Sequence, residues 1–344
     1  MVDCSLPEFT ESSPIRVLFC CDAGYYQHLA VAMVSLLSSN ACNQLEIHVI
    51  STRREAQPEM KLRRSLESFS NFTLQIHDFR GPQIERWHTS YHITSEAYAR
   101  LFAATILPSS VERILYLDAD LVVLADLREL WSFELGDAAV AAVSDPFGAS
   151  RSEALGLPRG AVYINSGVLL MNLRKWRREA LAERLGRYIQ EQGSRLEYHD
   201  QDAINAVLCG QILVLDYRWN FQAKMLRLPR SGVPDRAKIG EASRAPAILH
   251  YTTMRKPWVF VMPTPAKAVY RRLLKRTAWR GTPPVGRSWA KLPEYLVNHG
   301  LYFLGLDYTW DRVLRRTTIG RVMVRSAKLL RVRPAGRLRS ALSN

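Results

Sequence analysis

Residues 113–124 read RILYLDADLVVL, two apolar runs rich in strand-forming residues, parted by the carboxylates of Asp118 and Asp120. Burying either carboxylate unpaired would cost several kcal/mol. The stretch therefore reads as a buried strand that surfaces at Asp118, where something positive meets both acids. Side chains alternate along extended backbone, so Asp118 and Asp120 turn to one side and Ala119 to the other. Both acids can then reach one ion, and a divalent cation holding a phosphate would neutralise them, since hard cations prefer carboxylate oxygens. A strand-end acidic pair making turns or salt bridges is the competing reading of these three residues taken alone.

The surrounding pattern narrows the fold. Strand-like runs at 16–22, 45–51, 72–79 and 113–118 alternate with helix-like stretches at 28–38, 58–69 and 95–107. Shorter strands follow at 138–144, 163–172 and 212–216, with helices at 176–192 and 200–208 between them. Such alternation predicts an α/β fold with a mostly parallel sheet flanked by helices. Ligands in such sheets bind beyond the carboxyl ends of the strands. Asp22 and Asp118 each end a predicted strand, which puts them on one rim.

The 344 residues are 47% hydrophobic and 23% charged, the balance of a globular chain with a substantial core. Five cysteines form no metal-like spacing, and adjacent Cys20 and Cys21 sit in a strand-like run as small apolar residues. The start of the chain is polar and acidic, and no apolar run approaches the ~20 residues of a membrane span. A cytoplasmic location is the expectation. Charge divides the chain: 18 of 47 basic but only 3 of 32 acidic residues lie from 265 onward, so that stretch carries the whole +15 excess. The expected organisation is an N-terminal extension at 1–15, a folded body at 16–264 and a basic, aromatic region at 265–344.

Several stretches together carry a resemblance. They are residues 18–25 (LFCCDAGY), 92–101 (HITSEAYARL), 116–120 (YLDAD), 163–176 (YINSGVLLMNLRKW), 200–205 (DQDAIN), 219–221 (WNF) and 250–258 (HYTTMRKPW). In this order they resemble glycosyltransferase family 8, retaining enzymes of the GT-A fold that include bacterial lipopolysaccharide α-glucosyl- and α-galactosyltransferases and the glycogenins. The resemblance spans roughly residues 16–260. It implies a manganese (or magnesium) ion held by Asp118, Asp120 and His250, and a UDP-glucose or UDP-galactose donor. By the same resemblance Lys256 and Thr253 approach the donor phosphates, with Ala119 beside them in the acidic motif. Relatives often carry Gly where Thr253 stands, which permits close backbone approach. Cys20, Asp22 and Tyr25 match positions around the uracil, Asp22 accepting the imide N–H and Tyr25 stacking. Arg100, Asn165, Asp200 and Gln201 match positions around the donor sugar, and His92 and Asp145 match acceptor-side positions.

An amide oxygen is a poor nucleophile, so Gln201 favours same-face attack over a covalent intermediate, with Gln201 and Asp200 stabilising oxocarbenium charge. For Asp200 and Asp202 a simple role as helix N-terminal acids is the alternative. A catalytically silent nucleotide-sugar or glycan-binding protein on the same fold is the competing function. A metal phosphohydrolase lacks both a second metal cluster and a nucleophilic Asp in a DxDxT setting. Near the C-terminus, Trp289, Tyr295, Tyr302, Phe303, Tyr308 and Trp310 precede the arginine-rich stretch 312–339. Aromatic residues beside clustered cations suit an anionic bilayer surface, with nucleic acid as the disfavoured rival. The sequence thus predicts a peripheral membrane enzyme adding a hexose to a saccharide or glycolipid acceptor, such as lipopolysaccharide.

Overall fold

The computed structural model of the chain describes residues 13–79, 98–228 and 233–303. Its backbone gathers into two units: the chain up to Lys256 with Pro265–Thr282, and Pro257–Thr264 with the chain from Pro283. In the first unit, strands β1 (Ile15–Cys21), β2 (Leu45–Ser51), β3 (Phe72–Asp78) and β4 (Arg113–Leu117) precede β5 (Leu121–Val123) and β6 (Val140–Ser144). They are followed by β7 (Ile164–Asn172), β8 (Ile212–Leu215), β9 (Phe221–Gln222) and β10 (Ile248–His250). Seven form one sheet in the order β3-β2-β1-β4-β7-β6-β8, and three form another, β5-β10-β9.

The large sheet is mostly parallel, as the alternating sequence predicts. Parallel central strands are covered on both faces and need near-continuous apolar runs. β1 meets that demand, with every residue but Arg16 buried, whereas edge strand β3 alternates between exposed and half-buried residues. The chain winds from β1 to β2 to β3 on one side, and β4 lies on the other side of β1. That switch opens a crevice beyond the carboxyl ends of β1 and β4. Asp22 and Asp118 stand there, one residue past each strand.

β7 is antiparallel to both β4 and β6. The reversal brings the beginning of β7, Asn165-Ser166-Gly167, to the end of β4, where Asp118 N–H donates to Gly167 O at 2.8 Å. The small sheet was not anticipated as a sheet. It forms because β5 turns back out of the acidic motif and pairs antiparallel with β10, His250 opposite Leu121. Helix α1 (Tyr26–Ser39) is apolar nearly all round because it packs against both α2 (Ala56–Leu66) and β5. Two of its few polar residues fasten β5: Val123 N–H donates to Ser35 Oγ at 2.9 Å, and Ser39 Oγ donates to Val123 O at 3.1 Å.

The single helix expected over 176–192 is two, Leu173–Arg178 and Leu181–Gln192, because Ala180 adopts a left-handed φ of 48°. Beyond residue 264 the chain contributes a further helix, Lys267–Leu274, to the first unit. Its Tyr270 hydroxyl meets His28 Nδ1 at 2.7 Å, and Ala278 N–H donates to Ser65 Oγ at 2.9 Å. The second unit contains helix Leu292–Phe303, where Tyr295 stacks on Phe260 with ring centres 4.7 Å apart. Trp289, Leu296, Val297 and Phe303 of that unit are exposed. No described helix is long and apolar enough to cross a membrane. His92, the first residues of the helix expected at 95–107, most of the N-terminal extension and the arginine cluster at 312–339 lie outside the described residues.

Candidate functional site

An open cleft of about 340 Å³ occupies the crevice. It is lined by Asp22, Tyr25 and the two cysteines, by the acidic motif with His250, Thr253 and Lys256, and by Arg100, Asn165, Asp200 and Gln201. Residues from β1, β7, β10, helix His199–Val207 and the segments that connect such elements thus meet in one place. Asp118, Ala119 and Asp120 form a turn between β4 and β5 rather than continuing a strand. Both carboxylates nevertheless face one locus, because Asp118 N–H is tied to Gly167 and Asp120 O accepts from Tyr251 N–H at 3.0 Å.

Ligand atoms of Asp118, Asp120 and His250 lie within 4.8 Å of one another. Two carboxylates and an imidazole form a donor set suited to manganese or a similar divalent cation. Space for an ion is kept by Gly167, where an added Cβ would lie 2.1 Å from His250 Cε1 and 2.8 Å from Asp118 Oδ2. A larger residue would fill the cradle between the ligands. These residues fit a cation.

The acids are neutralised by neighbouring cations. Lys256 Nζ pairs with Asp120 Oδ2 and donates to Tyr251 O at 2.7 Å, while His250 Nε2 is 3.1 Å from Asp120 Oδ1. Burial alone would raise the Asp120 carboxyl, but Lys256 and His250 hold it well below the usual carboxylate range. Asp118 accepts from Tyr116 Oη at 2.5 Å and pairs with Arg100 at 3.1 Å. Arg100, itself buried, reaches Asp200 at 3.3 Å with its Nε and donates to Ser166 O at 2.8 Å. Its guanidinium lies over the Tyr116 ring, 4.3 Å from the centroid, and one cation thus joins Asp118 to Asp200. Burial pushes the Asp200 carboxyl up to about 6 despite the opposing pull of Arg100.

Gln201 is held on every side. Its Oε1 accepts from Asn165 Nδ2 at 3.0 Å and from Ser166 N–H at 3.2 Å, and its Nε2 donates to Tyr163 Oη at 3.1 Å. Tyr163 Oη in turn donates to Asp202 Oδ1 at 2.6 Å. Asp202, read above as a possible helix-end acid, is fully buried and accepts also from Arg151 and from the N–H groups of Glu197 and Tyr198. It fixes the entry to helix His199–Val207 and, through Tyr163, the Gln201 amide.

Asp22 receives Tyr25 N–H at 3.1 Å and Arg53 at 3.2 Å, and it caps a helical turn. Cys20 is buried with its thiol pushed up by desolvation, which makes it a wall rather than a reactive group. Thr253 has φ 75°, a region that favours glycine and strains a β-branched residue. Its Oγ1 accepts from Arg255 N–H at 3.3 Å. Asp145 stands at the end of β6, 3.6 Å from Lys224 Nζ, and does not line the cleft. His92 is outside the described residues.

A family description, "Glycosyl transferase family 8", matches residues 16–261. The chain belongs to that family. Its curated relatives include general stress protein A of Bacillus subtilis, 28% identical over 281 residues, covering 79% of this chain and 98% of that protein. Lipopolysaccharide 1,2-glucosyltransferase of Escherichia coli is 25% identical over 287 residues, covering 82% and 84% respectively. Among solved structures, galactosyltransferase LgtC in complex with donor and acceptor sugar analogues superposes with a TM-score of 0.68 at 22% identity. That match covers 81% of this chain and all of LgtC, and it shows a shared GT-A fold. Family membership makes sugar transfer the activity of this chain.

The family 8 protein has site residues that sequence reasoning did not single out. Ser166, Tyr198 and Thr252 line the cleft, and Tyr116, Tyr163 and Asn220 orient residues that do. Tyr116, Tyr163 and Asn220 are buried and flanked on both sides by apolar residues, a pattern that flags a needed partner.

Two outcomes follow from the local strain and charge. Thr253→Gly should relieve backbone strain and stabilise the fold by about 1 kcal/mol net of glycine's entropy, raising Tm by ~2–4 °C in a thermal melt. A lowered Tm would show the Thr253 conformation to be unstrained. For Asp200, a raised carboxyl pKa means the folded protein holds the proton more tightly than the unfolded chain between about pH 4 and 6. Its contribution to stability is therefore present at low pH and lost as pH rises through about 6. Urea melts should find Asp200→Asn gaining on the native protein, by on the order of 2 kcal/mol, between pH 4 and 7. A constant difference would contradict this.

Proposed function

We propose that the protein transfers a hexose, glucose or galactose, from a UDP-sugar to a saccharide acceptor with retention of anomeric configuration. One observation carries this reading: three metal-type ligands and Lys256 converge in a cleft that also gathers Asp22, Tyr25, Asp200 and Gln201. Those side chains suit a base, a diphosphate and a sugar.

Asp118, Asp120 and His250 would hold manganese or magnesium. When bound, the cation supplies Lewis acidity that neutralises the charge growing on a departing diphosphate. Lys256, a compact charge on a flexible stem, exchanges its contact with Asp120 for a phosphate oxygen. Tyr25 stacks on the base, and Asp22 accepts its imide N–H. Beside the sugar, Asp200 is desolvated next to Arg100 and presents negative charge toward the anomeric carbon.

Gln201 is no nucleophile here, since Asn165 and Ser166 occupy both lone-pair directions of its oxygen. Retention then proceeds on one face. The bond from anomeric carbon to phosphate oxygen breaks, the acceptor oxygen bonds to that carbon from the same side, and the leaving phosphate oxygen takes the acceptor's proton. Asn165 and Gln201, fixed by their neighbours, orient donor hydroxyls.

The acceptor in this reading is a lipopolysaccharide core or another lipid-linked glycan. The E. coli relative's name supports it, as does the basic, aromatic C-terminal region, which suits the inner face of an anionic membrane. The enzyme would work in the cytoplasm as a peripheral protein.

UDP release from UDP-glucose or UDP-galactose, without acceptor, should require added Mn2+ or Mg2+. Asp120→Ala and His250→Ala should each lower it by on the order of 100-fold or more. Undiminished release after chelation would sink the metal-assisted reading, and donor binding without any turnover would favour a silent binding protein. The full chain should float with vesicles rich in anionic lipid at low salt and detach at high salt. Tighter retention on duplex DNA than on such vesicles would assign the tail to nucleic acid.

A further inference from the structure

His250 can serve a cation only if the lone pair of Nε2, and not an N–H, points at the acidic pair. That nitrogen faces Asp120 Oδ1 at 3.1 Å and Asp118 Oδ2 at 3.5 Å. Which ring nitrogen carries the hydrogen is set by the partner of the other one. Here the other, Nδ1, lies 2.9 Å from the Oδ1 of Asn220.

Side-chain amides can be turned end for end, so Asn220 alone does not decide the matter. Backbone N–H groups cannot be reversed, and two of them anchor this network. Gly167 N–H donates to Asn165 Oδ1 at 3.1 Å, and Ser166 N–H donates to Gln201 Oε1 at 3.2 Å. Asn165 must therefore keep its oxygen toward Gly167 and its Nδ2 toward Gln201, at 3.0 Å. That same oxygen of Asn165 lies 2.8 Å from Asn220 and can only accept, so Asn220 presents its Nδ2 there. Its oxygen is left facing His250 Nδ1 and can likewise only accept. The hydrogen must sit on Nδ1. Asn220 is completely buried, so water offers it no alternative partner.

We propose that Asn220 is a positioning residue that fixes the hydrogen of His250 on Nδ1 and turns the Nε2 lone pair toward Asp118 and Asp120. Its own orientation is dictated, through Asn165, by the backbone N–H groups of Ser166 and Gly167. The proposal rests on the metal-site reading above. It also ties the cation end of the cleft to the Gln201 end by one continuous set of hydrogen bonds with a single direction.

Two measurements test it. In the native protein labelled with nitrogen-15 histidine, the ring signal lost in His250→Gln should report a hydrogen on Nδ1. A hydrogen on Nε2 alone would overturn the proposal, and this result needs no variant at position 220 to fold. Second, electron paramagnetic resonance of free Mn2+, titrated in the presence of UDP, reads metal affinity without turnover. Asn220→Asp keeps an acceptor for Nδ1 and should hold Mn2+ within about threefold of the native protein. It cannot donate to Asn165, so its kcat should fall while Mn2+ affinity does not. Asn220→Leu, removing the acceptor, should weaken Mn2+ by about 10- to 100-fold. Native affinity in a folded Asn220→Leu protein would overturn the assignment. A native protein that shows the Nδ1 hydrogen but takes up no Mn2+ would sink the metal reading instead, and leave the placement of the hydrogen supported.

Discussion

Neutralising buried carboxylates is the constraint on which this site depends. Asp118, Asp120 and Asp200 converge on one crevice, and each would be costly to bury without a partner. Arg100 answers two of them at once, reaching Asp118 and Asp200 from a single buried guanidinium. Lys256 and His250 answer the third. The fold supplies these partners from segments far apart in sequence, so the charges also fix how those segments meet. Removing one partner would leave a buried charge uncompensated and loosen several elements together.

The reversed strand β7 makes this convergence possible. Parallel neighbours would carry the Asn165-Ser166-Gly167 run to the far end of the sheet from Asp118. Run antiparallel between β4 and β6, β7 instead begins where β4 ends. Its first residues then serve in several ways. Gly167 O receives Asp118 N–H, Ser166 O receives Arg100, and Asn165 joins Gln201 to Asn220. Gly167 also leaves the ligand cradle open, a role only the absence of a side chain can fill.

Much of this was legible in the sequence. Apolar runs and their spacing gave the parallel sheet and the rim on which Asp22 and Asp118 stand, because a strand covered on both faces has little freedom of composition. The motif residues gave most of the cleft. Other features were hidden for physical reasons. β9 is two residues long, too short for periodicity to register. The break at Ala180 has no glycine or proline to mark it. Asn220 and Tyr163 touch no cleft surface themselves and work through neighbours, so their part emerges only from distances. Asp202 shows the limit most sharply. A helix-end acid and a five-donor hub look alike until burial is known.

The strained backbone at Thr253 follows from the same charge problem. His250 is locked into β10 and touches Asp120 with its ring, while Lys256, six residues later, returns its ammonium to the same carboxylate and to Tyr251 O. Tyr251 is itself held, its N–H by Asp120 O and its hydroxyl by Ala266 O. The chain between must reverse within a few residues with both ends pinned. A left-handed residue is the economical way to close so short a path, and glycine would adopt that conformation without penalty. Here Thr253 takes it, with its hydroxyl accepting from Arg255 N–H as partial compensation. Strain of this kind persists only where the surroundings over-determine the backbone. Two side chains held against one acid, from either end of a short loop, supply that over-determination.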